Sequence, residues 1–291
     1  MALRITIDIF SGRPNPVIEL EGRAAIDALR RLRPGEKLKR GEAVPPPARL
    51  GYRGLIVERR GAGGADLPRT FRVADGRLFG EGLAHRATDE AFEDFICGST
   101  GPRKPHMPRT FDSFAIRELK RFRKWYAVYR PPKIRLPKLR PACLCAPLYE
   151  PTWWNDAGQR QYGNNCYNYA TNYRTDTFAQ PGQAAGAMYT ALTCASVRPA
   201  AIQDTLIDSP TANNRCPREG HLVALVIAPN WDFHWYRKGR NGLWTHKPGG
   251  TQATNLDNSG KLIPDPRTAD RGPYTQFCTF MVVMHGHIKI R

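Results

Sequence analysis

The chain has 291 residues, 41% of them hydrophobic, with 44 Lys and Arg against 26 Asp and Glu for a formal net charge of +18. That length suits two modest domains or one large one, and no apolar run approaches the roughly 18–20 residues that cross a bilayer. A helical membrane protein, a collagen and wholesale disorder are excluded, which leaves a basic globular chain.

The opening MALRITIDIF reads as a strand and lacks the basic stretch, apolar core and small-residue cleavage site of a secretory leader. A cytoplasmic protein with reduced thiols is therefore expected. Within that opening, Ile5 to Phe10 alternates like a half-buried strand, and Ser11-Gly12-Arg13-Pro14-Asn15-Pro16 closes it with turn residues. That loop reads either as a binding loop or as a rigid turn. Ala24, Ile26, Ala28, Leu29 and Leu32 then mark one face of a helix over 22–33. Strands are expected at Gly54–Glu58 and around Thr70–Val73. A helix follows at Thr88–Cys97, where Asp89 and Glu90 suit the positive N-terminal end. Residues 1–100 thus read as a small α+β module for recognition or scaffolding.

The basicity is local. Residues 101–141 hold 13 Lys and Arg against 2 Asp and Glu, so they carry +11 of the net +18. Phe114, Ile116, Leu119, Phe122 and Tyr126 recur there at helical spacing, and prolines at 131, 132, 137 and 141 favour an extended run afterwards. This block is expected to be a basic linker with a short helix, open to an acidic partner. No nucleic-acid fold signature surrounds it.

Residues 142–291 carry the residue types that chemistry needs. An Asn- and Gly-rich loop leads into Cys166, which opens a helix through Tyr169, Ala170 and Tyr173. A thiol at a helix N-terminus has its thiolate stabilised by free N–H groups and the helix dipole, and the thiolate is the nucleophile. Downstream, His221 to Ala228 is an apolar strand. Asp232 to Arg237 forms the next strand, Gly239-Arg240-Asn241-Gly242 a hairpin turn, and Leu243 to His246 the return arm. Pairing about that turn sets Trp235 or His234 opposite His246, so two histidines could face the cysteine. His221, at the start of the preceding strand, is the alternative. Gln276 to Met284 reads as a closing, central strand.

The strings Asn164-Asn165-Cys166-Tyr167-Asn168-Tyr169-Ala170, Asp232-Phe233-His234-Trp235-Tyr236-Arg237 and Trp244-Thr245-His246-Lys247-Pro248-Gly249 resemble the papain-like superfamily, in particular its NlpC/P60-type Cys-His-His branch. They also resemble an uncharacterised bacterial group of that layout. The resemblance covers about residues 146–285. It implies an α+β fold in which a Cys-bearing helix packs on an antiparallel sheet. It also implies a peptidase, amidase or deamidase passing through a thioester, with a peptide or protein as substrate. By position, Cys166 would be nucleophile, His234 the general base and acid, and His246 the orienting residue. His221 also fits the first-strand position, with His234 then third.

Such a site needs oxyanion donors beside the Cys166 amide, and Gln161 and Asn165 are the candidates. Asn164 and Asn165 equally suit helix capping. Trp154, Trp235 and Trp244 would wall a substrate groove or fill a core. Neither metal nor organic cofactor is implied. Cys97, Cys143, Cys145, Cys166, Cys194, Cys216 and Cys278 form no CxxC pair, and Asp257, Ser259 and Asp265 read as a polar surface turn rather than a calcium loop. Export, were it to occur, would allow a Cys194–Cys216 disulfide. The expected organisation is a small α+β module (1–100), a basic linker (101–141) and a papain-like cysteine domain (142–291). The rival readings are a non-catalytic binding module of the same fold and an acidic-partner or nucleic-acid binder acting through the linker.

Overall fold

The structure is a computed structural model that describes residues 1–61, 66–132 and 143–291. Its class is α+β, with helices packed on antiparallel sheets. The chain divides into two compact units. The first takes residues 1–9, 15–47 and 51–130, and the second takes 10–14, 48–50 and 131–291.

In the first unit the strands are β1 (Ala2–Ile7), β2 (Val17–Glu21), β3 (Pro34–Lys37), β4 (Leu55–Arg60), β5 (Thr70–Ala74), β6 (Arg77–Gly80) and β7 (Leu83–Ala87). They form one sheet in the order β2-β1-β4-β5-β6-β7-β3. Alternation explains β1: Leu3, Ile5 and Ile7 are buried while Arg4 and Thr6 are half-exposed. The helices are α1 (Gly22–Arg31), α2 (Phe92–Cys97) and α3 (Thr110–Tyr126). Asp8, just past β1, is buried and fully engaged. It accepts from Arg53 Nη2 at 2.6 Å and Nε at 3.1 Å, from Arg72 Nη1 at 2.9 Å and from Asn15 Nδ2 at 3.1 Å. The Arg53 and Arg72 charges, opposing the cost of burial, hold its carboxyl down to about 2.

The block expected as a linker supplies α3 to this unit, and the unit extends through residue 130. Phe111, Phe114, Ala115, Leu119, Phe122 and Tyr126 form the buried stripe of α3, with Ile116 only half-buried. Residues 133–142, which include Pro137 and Pro141, lie outside the described residues.

The second unit is built on a five-stranded antiparallel sheet, β11-β10-β9-β12-β8. Its strands are β8 (Ile207–Asp208), β9 (His221–Ala228), β10 (Asp232–Lys238), β11 (Trp244–His246) and β12 (Gln276–Val283), and its helices are α4 (Pro151–Trp154), α5 (Gln159–Tyr162), α6 (Cys166–Thr171) and α7 (Cys194–Gln203). Every residue of β9 is buried because both faces are covered. One face packs Val223, Leu225, Ile227, Phe233 and Trp235 against Cys166, Tyr167 and Val197, and the other packs Leu222, Ala224, Val226, Tyr236 and Phe280 against Trp244, Ile263 and Tyr274. β12 sits inside the sheet between β9 and β8.

The β10–β11 turn closes with Gly239 N donating to Leu243 O at 2.8 Å, and Gly242 takes φ +80°, where a side chain would strain the backbone. The register differs from expectation: Tyr236, not Trp235 or His234, stands opposite His246. Two disulfides, Cys143–Cys216 and Cys194–Cys278, close this unit in place of the Cys194–Cys216 pairing, and Cys97, Cys145 and Cys166 are free thiols.

Candidate functional site

Cys166 does open α6, and the sequence before it explains why a helix starts there. The Asn165 side chain accepts from Tyr167 N at 3.0 Å and Asn168 N at 3.1 Å. The Asn168 side chain in turn accepts from Asn165 N at 3.2 Å, completing a capping box. The Asn165 amide then spends both N–H groups on Gly12 O at 2.7 Å and Ala179 O at 2.8 Å. Neither donor points to an oxyanion site. Gln161 is buried at 7% exposure, with its Oε1 accepting from Ala157 N. Asn164 is spent on Arg160 O, Asp176 and the amides of Thr175 and Asp176.

Alternation along β10 turns successive side chains to opposite faces of the sheet. Phe233 and Trp235 join the cluster that holds Cys166, whereas Tyr236 belongs to the opposite one. His234 turns the same way as Tyr236, with its ring against Tyr236 (4.7 Å between centroids), His246 (5.0 Å) and Tyr274 (5.7 Å). His246, diagonal to His234 across the β10–β11 ladder, meets it directly.

Ser11 is what connects the thiol to the histidines. Its Oγ lies 2.5 Å from His234 Nδ1, and Ser11 and the Trp235 backbone both act to lower the pKa of the neighbouring Cys166 thiol. His234 Nε2 lies 2.9 Å from His246 Nδ1, and His246 Nε2 lies 2.8 Å from Leu256 O. Directions follow from the far end. A carbonyl oxygen only accepts, so His246 carries its proton on Nε2, and its Nδ1 must accept from His234 Nε2–H. In the neutral ring His234 Nδ1 is then an acceptor, and the Ser11 hydroxyl donates to it. Burial lowers His246 to about 4. Burial, aided by the Asp232 charge, pushes the Cys166 thiol far above its usual range despite the bonds to Ser11 and Trp235. The expectation of a thiolate favoured by the helix terminus gives way, because desolvation outweighs the dipole of a six-residue helix.

The loop that carries Ser11 is held by Asp232 at the start of β10. The carboxylate accepts from the amides of Ser11, Gly12 (3.2 Å) and Arg13 (3.0 Å) and from the Tyr274 hydroxyl. Only glycine fits at position 12, where an added Cβ would stand 2.4 Å from the Phe233 ring. Lys247, fully buried, donates to the carbonyls of Gln161, Asn164 and Gly249 (2.7 Å) and so holds the loop ahead of Cys166. Sequence reasoning missed Ser11, Asp232, Lys247 and Tyr274. The turn-rich string at 11–16 was the one visible signal.

His221 lies elsewhere. Its Nε2 donates to Ala170 O at 2.7 Å, tying the last turn of α6 to β9, and burial drives its pKa down to about 3. Trp154, Trp235 and Trp244 are at most 2% exposed, so they fill core rather than wall a groove. Ser11, Cys166 and His234 are 0% exposed and His246 1%, which leaves the chain of groups without a path for substrate. Asp257 caps the amides of Ser259 and Lys261 while Asp265 pairs with Arg267, and among the described residues no group of three His, Cys, Asp or Glu is set to hold a metal.

Insoluble matrix shell protein 1 of Ruditapes philippinarum is 47% identical to this chain over 145 residues, which are 49% of this chain and 93% of that protein. No family model and no solved structure matches. This relative corrects three expectations. It is a shell matrix protein by name, against a cysteine hydrolase or thiol protease, and it comes from a mollusc, against a bacterial group. A matrix relative, together with two disulfides that a reducing cytosol would not maintain, also overturns the expected cytoplasmic setting.

Proposed function

The chain belongs to the family of insoluble matrix shell protein 1, and we propose that it works outside the cell as a non-catalytic, disulfide-braced component of an insoluble matrix. The observation that carries this reading is the closed state of the Cys166–Ser11–His234–His246 chain. All four residues are at most 1% exposed, and Ser11, His234 and His246 are linked in series to the backbone carbonyl of Leu256. A nucleophile needs an approach path and a base with a free nitrogen, whereas these imidazoles are saturated by Ser11, by each other and by Leu256. In this reading the Cys-His-His layout is scaffold. It fixes the 11–13 loop, the start of α6 and the edge of β10 as one packed block.

The test has two parts on the native protein. Antibody labelling of the source tissue should find the chain in the extracellular insoluble fraction, and peptide mapping without reductant should recover the Cys143–Cys216 and Cys194–Cys278 pairs. Iodoacetamide applied before unfolding should modify Cys145 and spare Cys97 and Cys166, since only Cys145 is exposed. A soluble, fully reduced intracellular protein, or a Cys166 that alkylates fastest of the three at neutral pH, would overturn the proposal.

A further inference from the structure

The helix α3 presents two unlike faces. Its inner stripe is core, and its outer face gathers Arg117, Lys120, Arg121 and Lys124, all exposed. With Ser113 and Ile116 these residues line an open concavity of about 550 Å³. Among the described residues, one carboxylate answers the four cations. Glu118, itself buried, sits 2.9 Å from Arg121 and 3.9 Å from Arg117. Among the described residues Lys120 and Lys124 have no anionic partner, and residues 119–141 contain no Asp or Glu. Four cations against one carboxylate leave this face with a net positive charge among the described residues.

We propose that this face of α3 docks an acidic polypeptide segment in extended conformation. Charge complementarity sets the sign of the partner, and helix geometry sets its spacing. Arg117 and Arg121 form one row and Lys120 and Lys124 a second, each pair separated by one i,i+4 step, a rise of about 6 Å. Side chains on one face of an extended peptide repeat at about 6.6–6.8 Å, so alternate carboxylates of an Asp- or Glu-rich strand fall in step with either row. The walls favour a polypeptide over a sugar chain. Ile116 and the methylene stems of the cations supply apolar surface between the charges, which suits the short aliphatic arms of Asp and Glu better than polyhydroxylated rings. Arg forks add bidentate carboxylate bonds to the point charges of Lys.

The experiment uses the oxidised full-length chain and a fluorescent glutamate oligopeptide of about twenty residues, followed by anisotropy from about 50 to about 200 mM salt. The Lys120→Glu/Lys124→Glu variant should bind about tenfold or more weakly. Its log affinity should fall less steeply with log salt, by about one to two in slope, through the counter-ion release that governs polyanions. The Lys37→Glu/Arg40→Glu variant makes the same change in net charge at two exposed cations of another segment, and should stay within about twofold of the unmodified chain. Lys120→Gln/Lys124→Gln should weaken binding by a lesser factor, and an unchanged circular dichroism spectrum shows that each variant is folded. Equal loss in the two reversal variants would reduce the effect to net charge and overturn the assignment. So would no binding by the unmodified chain, or tighter binding of chondroitin sulfate than of the peptide at matched charge.

Discussion

The imidazoles of His234 and His246 share a single proton bond, Nε2 of the first to Nδ1 of the second at 2.9 Å, with neither ring exposed beyond 1%. Because His246 donates its own Nε2–H to Leu256 O at 2.8 Å, one backbone carbonyl fixes the His246 tautomer directly and orients His234 through it. A His–His pair that orients a nucleophile must leave one nitrogen for it. Here that nitrogen, His234 Nδ1, is taken by the Ser11 hydroxyl. Side-chain networks of this kind specify a packing arrangement when every member is satisfied and penalise the fold when one is removed.

Replacing His246 by Phe should therefore cost more than its volume change suggests. The variant strands His234 Nε2–H without an acceptor and Leu256 O without a donor, both inside the second unit. Each unmet group costs about 1–3 kcal/mol, so a loss of about 2–5 kcal/mol is expected, read as a lower urea midpoint at unchanged slope. His234→Phe and His246→Phe combined should cost clearly less than the two losses added, because the second change removes a group already unpaired. Simple additivity would show that the bond contributes nothing of its own.

Acid should destabilise the protein through its buried histidines. His221 and His246 titrate near 3 and 4 in the folded state, against 6.5 as their ordinary value. Between those limits the unfolded chain binds protons that the folded one refuses. The stability these rings confer is whole above about pH 6.5 and drains away as pH falls towards 4, by about 1.4 kcal/mol per pH unit for each ring. Asp204, raised by burial to about 6, works in the opposite sense, favouring the fold below 3.8 and losing that advantage as pH rises through 6. Comparison of His221→Gln with the unmodified chain isolates one ring: its stability curve should be flatter from pH 6.5 to 4. Ring nitrogen shifts in NMR should show His221 and His246 neutral down to about pH 5. A histidinium signal from either at pH 5.5 would contradict this.

Reduction should be costly at either disulfide. The bonds span 73 and 84 residues, and chain-entropy arguments give about 4–5 kcal/mol for loops of that length. Cys143→Ser/Cys216→Ser and Cys194→Ser/Cys278→Ser should each lower the thermal midpoint by several degrees, with a larger fall when both pairs are absent. A reduced protein that melts at the same temperature as the oxidised one would refute the bracing role.

In the first unit, Asp8→Ala should cost about 3–5 kcal/mol, since it leaves Arg53 buried without its counter-charge. The loss should shrink as pH is lowered from about 4 to 2, where the native carboxylate is itself being protonated. An Asp8→Ala protein with an unshifted denaturation midpoint would show that solvent already screens the pair.

Local order was legible from the chain alone. The alternation of Leu3, Ile5 and Ile7, the capping string before Cys166, the apolar run of β9 and the glycine turn at 239–242 all mark their elements, because strand period, helix capping and positive-φ turns are short-range effects. The stripe of α3 was equally visible, but not that it would belong to a folded unit rather than a connector, since that depends on which surface it buries. The same limit applied at the site. A Cys opening a helix and two His on a hairpin are sequence facts. Whether a thiol is ionised depends on how much solvent the fold lets reach it, and Cys166 is fully buried.

What the sequence determined by itself is therefore the set of elements, the basic helix and the presence of thiol and imidazole groups in one half of the chain. Only the tertiary structure decided their relations. It set Tyr236 rather than His234 opposite His246, brought Ser11 from 223 residues away to His234, and paired Cys143 with Cys216 and Cys194 with Cys278. These are long-range choices, made by the packing of whole sheet faces, and no local spacing rule encodes them.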